Sequence, residues 1–337
     1  MTINLDLSER LFSVGSAYRK AKVLLSAVEL DLFSALAIAP LNAAALADRL
    51  HIDHRGARDF FDALVSLGLL SRDGNGHYEN TKISDLYLDK AKPTYLGASF
   101  VQYNRREYAM WDNLTEALRT GRPRSELQGQ DHFESIYKNG ERFRSFVNAM
   151  TAGSLPSARC IAVQYPWEQF KTLCDVGTAQ GCLPVAVALA HRHIEAIGFD
   201  LPELATAFGE YADEHGLSSR LQFKAGDFFR DPLPTADVIV FGRVLHNWDL
   251  DTKRMLLAKA YNAVAVGGAV IAYDMLIDDE RMSGTGGLLS SLNMLLWTSG
   301  GFGYSGADCI GWMREVGFSH MSVEKLAGGN SMVIGRK

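Results

Sequence analysis

The residues best placed to do chemistry are carboxylates that end apolar runs. In Thr172-Leu173-Cys174-Asp175-Val176-Gly177-Thr178-Ala179-Gln180-Gly181-Cys182-Leu183-Pro184 an acid sits inside an apolar stretch, glycines follow, and a helical pattern begins. A strand–glycine–helix corner of this kind lets backbone approach a ligand and aims unsatisfied helix N–H groups at it. Gly198-Phe199-Asp200-Leu201-Pro202 and Gly226-Asp227-Phe228-Phe229 each place an acid where a strand should stop. An acid at the second strand tip suits ribose hydroxyls, and capping the next helix at Pro202 is an equal use for Asp200. Asp227 with Phe228 suits an adenine amine and its ring face. A fourth apolar run leads into Phe241-Gly242-Arg243-Val244-Leu245-His246-Asn247-Trp248-Asp249-Leu250, and a fifth carries Asp274 near its tip.

Lining up those acids requires a sheet. Apolar runs at 173–176, 195–201, 221–225, 237–240 and 269–276 alternate with helical patterns at 183–192, 203–215 and 251–265. This alternation predicts an α/β fold with a parallel, Rossmann-like sheet. The 237–240 run is nearly continuous Val and Ile, as expected for a strand buried on both faces. The chain closes with strands at 319–326 and 331–335 across Ala327-Gly328-Gly329-Asn330, a terminal β-hairpin.

The first half is mainly α. Residues 8–38 read as one or two amphipathic helices stopped by Pro40. Helix 41–50, turn 51–55, helix 56–67 and the hairpin signal Asp73-Gly74-Asn75-Gly76 form a winged helix-turn-helix. His51, His54, Arg55 and Arg58 raise DNA contact, but Asp53, Asp59 and Asp62 offset them, so a packing or dimerisation module is the preferred reading. Residues 95–150 return to helix, with stripes Trp111, Leu114, Leu118 and Phe143, Phe146, Val147, Met150. These stripes pack a core; alternatively Tyr103, Trp111, Phe146 and Met150 cap a flat ligand. The domains expected are 1–160 and 161–337.

The 337 residues carry a net charge of −5, with 47% hydrophobic and 22% charged side chains. Residues 1–160 hold 20 basic and 19 acidic side chains, and residues 161–337 hold 14 and 20. Neither half is a polycation, so bulk nucleic-acid binding is not expected. The N-terminus lacks a signal-peptide pattern and no run has the roughly 18 apolar residues of a membrane span, so neither export nor a membrane partner is expected. Cys160, Cys174, Cys182 and Cys309 show no CxxC spacing, which suits reduced thiols and a cytoplasmic location.

A parallel sheet with a terminal hairpin differs from a nicotinamide-binding domain and resembles the class I S-adenosylmethionine-dependent methyltransferases. Over nearly its whole length the chain is similar to the aromatic O-methyltransferases of plants and bacterial antibiotic pathways, acetylserotonin- and caffeate-type enzymes included. The similarity rests on Val244-Leu245-His246-Asn247-Trp248-Asp249, on Asp175-Val176-Gly177 with Gly181, and on Gly311-Trp312-Met313-Arg314-Glu315-Val316-Gly317-Phe318 after a Gly-Gly pair. It implies a winged-helix dimerisation domain, hence a homodimer, followed by an S-adenosylmethionine-binding domain. It implies that Asp175, Gly177 and Gly181 lie against the methionine portion of the cofactor. Asp200 and Leu201 would meet the ribose, Asp227 and Phe228 the adenine, Arg243 the carboxylate, and Trp248 the other adenine face. His246 would be the general base, oriented by Asp274. The substrate, a small aromatic or polyketide-like hydroxyl compound, would meet Tyr103, Trp111, Phe146, Met150, Asn247, Asn293 and Trp297.

The sequence departs from the family pattern in four places. The middle loop glycine is Ala179. The acid after the histidine is Asn247. The fifth-strand acid is Asp274 rather than the longer Glu. The second carboxylate that often follows the Gly-Gly pair is missing from Gly300-Gly301-Phe302-Gly303-Tyr304. C-methylation through the ortho carbon of a phenoxide, or a non-methylating hydroxylase or cyclase on the same fold, are the competing chemistries. No metal is expected, since His191 and His193 have no evident third ligand.

Overall fold

A computed structural model describes residues 5–123 and 140–337. The chain divides into two compact units, Met1–Ala109 and Met110–Lys337. This division falls well ahead of the expected 160/161. The helix Gly140–Gln164 belongs to the second unit, where the Gln180 side chain donates to Thr151 Oγ1 at 2.7 Å. Ser157 Oγ donates to the Ala327 carbonyl at 3.0 Å and accepts from Asn330 Nδ2 at 2.8 Å. The stripe on this helix shows that it packs, but its partners lie far along the chain.

In the first unit the one or two opening helices expected over 8–38 are three: Leu5–Gly15, Ala17–Glu29 and Leu32–Ile38. Asp31, in left-handed backbone at φ 57°, makes the second break. Helices Ala43–Leu50 and His54–Ser66 follow, capped by Asn42 and Asp53, whose side chains accept from Ala45 N and Arg55 N. Strands β1 (Leu41–Asn42), β2 (Leu70–Arg72) and β3 (His77–Asn80) form a sheet in the order β1-β3-β2, the wing. Leu32, Phe33, Leu46, Phe61, Leu64 and Tyr78 fill its core. Two basic groups of the second helix meet acids of their own unit, His54 on Asp48 at 2.9 Å and Arg58 near Asp62 at 3.7 Å. Leu7, Leu11, Phe12 and Val14 of the first helix are exposed. The part of the expected 95–150 helical stretch at 124–139 lies outside the described residues. In the described part Leu118 is exposed, so the Trp111, Leu114, Leu118 stripe is not wholly a core face.

The second unit holds a seven-stranded sheet built from β4 (Thr172–Val176), β5 (Glu195–Asp200), β6 (Leu221–Ala225), β7 (Ala236–Gly242), β8 (Val264–Asp274), β9 (Ser319–Lys325) and β10 (Ser331–Arg336). Its order is β6-β5-β4-β7-β8-β10-β9, with β4 to β8 parallel and β10 antiparallel to both β8 and β9. The Rossmann-like sheet with a terminal hairpin is therefore present. Alternation along the strands divides the core into two faces. Val238, Val240 and Ile271 enter one cluster with Leu183 and Phe208, while Ile239, Phe241 and Val270 enter the other with Leu256 and Met313.

Strand β8 begins at Val264, where a helix was expected to run to 265. The Gly267-Gly268 pair lies inside the strand. A Cβ on Gly268 would meet the Asp237 carbonyl at 2.3 Å, and the β7–β8 register shifts beside it. A strand glycine marks such close backbone approach. Among the described residues no helix is long and apolar enough to cross a membrane.

Gly198 of β5 binds this unit together, since a Cβ there would lie 2.3 Å from the Phe208 ring and 2.7 Å from Thr178 Cγ2. Gly198→Ala is expected to destabilise the protein by about 1–3 kcal/mol through overpacking. Urea unfolding checks this, and an unchanged midpoint would refute it.

Candidate active site

The site begins at the glycine corner after β4. Gly177 and Gly181 adopt φ of 75° and 90°, a backbone region that disfavours side chains. Ala179, between them, holds φ 50° despite its methyl group. Left-handed backbone costs an alanine about 1–2 kcal/mol. An offsetting contact is visible, because the Ala179 N–H donates to Asp200 Oδ2 at 2.8 Å. Asp200 Oδ1 accepts from Leu201 N–H at 2.8 Å. Asp200 makes no side-chain cap of the following helical turn, whose N-cap is Leu201. Of the two uses read for it, ribose binding and capping, the cap is absent.

The carboxyl ends of β4, β5, β6 and β7 surround one cavity. Asp175, Gly177, Thr178, Ala179, Asp200, Leu201, Asp227, Phe228, Arg243, Asn247 and Trp248 border it, together with Phe146 and Met150 from the helix Gly140–Gln164. Gly181 does not border it. Gly181 is the N-cap of the helix Cys182–Ala190, and a Cβ there would lie 2.7 Å from the Phe208 ring. Phe228 and Phe229 meet Trp248 edge to face, at ring separations of 5.8 and 4.8 Å. The Trp248 indole N–H is buried without a partner among the described residues. Arg243 reaches the cavity from left-handed backbone at φ 57°, its N–H donating to the Tyr273 carbonyl at 2.8 Å.

Three carboxylates and one cation border this cavity. Asp175 is 5% exposed. Burial pushes its carboxyl up to about 7, against the Thr178 hydroxyl that donates to it at 2.8 Å; the nearby Asp200 adds to the rise. Burial also raises Asp200, which keeps some water contact, while the N–H groups of Ala179 and Leu201 hold it down. Such a cavity favours a ligand carrying positive charge, hydroxyls and a flat ring. One arginine suits one carboxylate and falls short of a phosphate clamp.

His246 and Asp274 do not border the cavity, although their neighbours Asn247 and Trp248 do. Both are buried, Asp274 to 2% exposure, with His246 Nδ1 2.7 Å from Asp274 Oδ1. Among the described residues that oxygen has no partner in hydrogen-bond geometry, so His246 and Asp274 are in close contact without a straight hydrogen bond. Asp274 Oδ2 accepts the Tyr304 hydroxyl at 2.7 Å. Asn247 Nδ2 donates to the Arg243 carbonyl at 3.2 Å, which pins the turn carrying His246.

The expected substrate residues separate. Phe146, Met150 and Asn247 reach the cavity. Trp111 Nε1 donates to Asn293 Oδ1 at 3.1 Å, and Trp297 lies one turn beyond Asn293 on the helix Thr285–Trp297; none of the three borders the cavity. Tyr103 belongs to the first unit, edge-on to Phe100. Thr151, Ser154, Phe229 and Tyr273 border the cavity without having been read from the sequence. Phe229 was legible beside Phe228, whereas the other three carry no local signal.

Residues 12–90 match the O-methyltransferase dimerisation domain and residues 111–319 match the O-methyltransferase domain. The tetracenomycin polyketide synthesis 8-O-methyl transferase TcmO of Streptomyces glaucescens is 40% identical over 321 residues, 95% of this chain and 94% of that protein. The N,N-dimethyltransferase OxyT of Streptomyces rimosus is 40% identical over 270 residues, 80% of this chain and 78% of that one. The crystal structure of human N-acetylserotonin methyltransferase in complex with SAM aligns with a TM-score of 0.88 at 28% identity, covering 100% of this chain and 99% of that one. With both domains matched in order and a polyketide O-methyltransferase similar along nearly its whole length, this chain belongs to the O-methyltransferase family.

Proposed function

We propose that this protein transfers the methyl group of S-adenosylmethionine to a phenolic hydroxyl of a small, polyketide-type aromatic compound. The buried His246–Asp274 pair carries this reading, because it puts a base with its own counter-charge beside the cavity wall. When bound, the cofactor supplies a methyl group already activated by a sulfonium. The cavity fits it: Asp175 offers a buried anion to the positively charged methionine end, and Arg243 meets the carboxylate there. Asp200 and Leu201 hold the ribose, while Asp227, Phe228 and Trp248 hold the adenine. Phe146, Met150 and Asn247 face the acceptor.

A phenol, with a pKa of about 10, is mostly protonated at neutral pH. His246 takes its proton as the oxygen becomes a nucleophile, and Asp274 stabilises the resulting imidazolium. Asp274 also fixes which ring nitrogen faces away from it. The OxyT likeness favours a second reading, methylation of an amine on the same scaffold. Incubation with S-adenosylmethionine and matched aromatic phenols and amines separates the two by the position of the added methyl in the product NMR spectrum. Methylated phenol supports the first reading, and methylated amine alone replaces it.

His246→Ala is expected to lower kcat by about 10²–10⁴-fold. A loss smaller than about tenfold would remove His246 as an important base.

Cofactor affinity is expected to depend on Asp175. A cationic ligand favours its ionised form, so affinity should weaken as pH falls through about 7, by roughly tenfold between pH 8 and 6. Calorimetric titration measures this, and Asp175→Asn should flatten the profile; equal affinity at pH 6 and 8 would refute the assignment. The same raised carboxyl makes the unliganded protein lose stability as pH rises from about 4 to 7, because over that window the native group keeps its proton and the unfolded one does not.

The exposed Leu7, Leu11, Phe12 and Val14, within or beside the matched dimerisation domain, support a homodimer. Light scattering should give twice the chain mass for the native protein and a monomer for Leu11→Asp/Phe12→Asp. A native monomer would overturn this.

A further inference from the structure

Asp274 stands alone where the family pattern often provides two carboxylates for the histidine, and the structure surrounds it with groups of a different kind. Tyr304 is fully buried, and its hydroxyl donates to Asp274 Oδ2 at 2.7 Å. Its carbonyl accepts from Ile277 N–H at 2.9 Å, three residues beyond Asp274, so backbone fixes the phenol against the end of β8. Lys253, on the helix Leu250–Ala263, is 0% exposed. Its ammonium donates to the Trp248 carbonyl and lies 3.3 Å from the centre of the Phe302 ring, with Tyr304 and Trp312 about it at 5.9 and 6.0 Å.

A buried ammonium held by aromatic faces and one carbonyl needs an anion to balance it. Burial pulls Lys253 down to about 8, while Asp274, Asp249 and the Cys309 thiol act to raise it. Asp249 is exposed and caps its helix by accepting from Thr252 N, and burial pushes the Cys309 thiol upward, leaving it neutral. Asp274 is the buried acid of the three.

We propose that Tyr304 and Lys253 are positioning residues that hold Asp274 aimed at His246, so that one carboxylate suffices to orient the base. The Tyr304 hydroxyl fixes Oδ2 and leaves Oδ1 for the imidazole. The Lys253 ammonium lies beside the Tyr304 ring that holds the carboxylate and, through the Trp248 carbonyl, ties this network to the turn that carries His246. This inference rests on His246 being the base, and its test separates the two.

The titration of His246, followed by ¹⁵N-histidine NMR without substrate, is compared in the native protein, Tyr304→Phe and Lys253→Met, alongside kcat–pH profiles and cofactor affinity. Losing a group that favours the ionised carboxylate raises the proton affinity of the histidine–aspartate pair. Both variants should therefore move its proton uptake and the acid limb of kcat to higher pH, by about half a unit or more. Tyr304→Phe should also lower kcat roughly tenfold, the size of a hydrogen bond to a charged group. A filler role would reduce thermal stability without moving the titration. An unchanged titration in folded Tyr304→Phe, which keeps the ring and decides the matter even where Lys253→Met does not fold, overturns the proposal. Full activity in His246→Gln would sink the base reading instead and leaves the NMR comparison intact.

Discussion

Burying both faces of a parallel sheet is the constraint on which the rest of this structure depends. Strands β4 to β8 present apolar side chains to two cores, so polar groups have nowhere to collect but the strand ends. Asp175 and Asp274 lie within the last residues of β4 and β8, Asp200 ends β5, and Asp227 follows β6. The sheet lines up these acids because their strands are neighbours in register, and the cavity opens where the strand order turns from β5-β4 to β4-β7.

The acids are treated in two ways. Among the described residues Asp175 and Asp200 receive neutral donors, the Thr178 hydroxyl and two backbone N–H groups, and burial raises both carboxyls. They remain short of positive charge, which a cationic ligand would supply. Asp274 has its partners built in: imidazole against one oxygen and a phenol hydroxyl on the other. Along the carboxyl edge of the sheet, one end, at β4 and β5, is left to gain stability from a ligand, and the other, at β8, is held by its own neighbours.

Backbone geometry keeps the two ends in place. Ala179 and Arg243 both occupy left-handed backbone, and each has its N–H bonded to a neighbouring strand or its tip, Ala179 to Asp200 and Arg243 to the Tyr273 carbonyl. Strained residues persist where surrounding contacts over-determine them, and both border the cavity. A Cβ on Gly177 would lie 2.7 Å from Val244 Cγ2, so the corner after β4 and the turn leading to His246 pack directly on each other.

The sequence by itself determined what is local. Strand–glycine–helix order and acids ending apolar runs placed Asp175, Gly177, Asp200, Asp227 and Phe228, because a tight turn at a strand end needs particular residues in adjacent positions. The paired wing strands were legible for the same reason. Contacts between distant segments needed the tertiary structure. A lysine beside an exposed helix cap reads as solvated, and only Phe302 and Trp312 packing over it make Lys253 a buried cation. Tyr304 stood in a stretch read as lacking a carboxylate, yet a phenol hydroxyl bonds Asp274 there. Trp111 and Asn293, expected at the ligand, bond to each other across 182 residues. The helix Gly140–Gln164, almost all of it inside the expected first domain 1–160, joins the second unit instead. Periodicity tells a helix which face to bury, and the chain's closure in space decides against what.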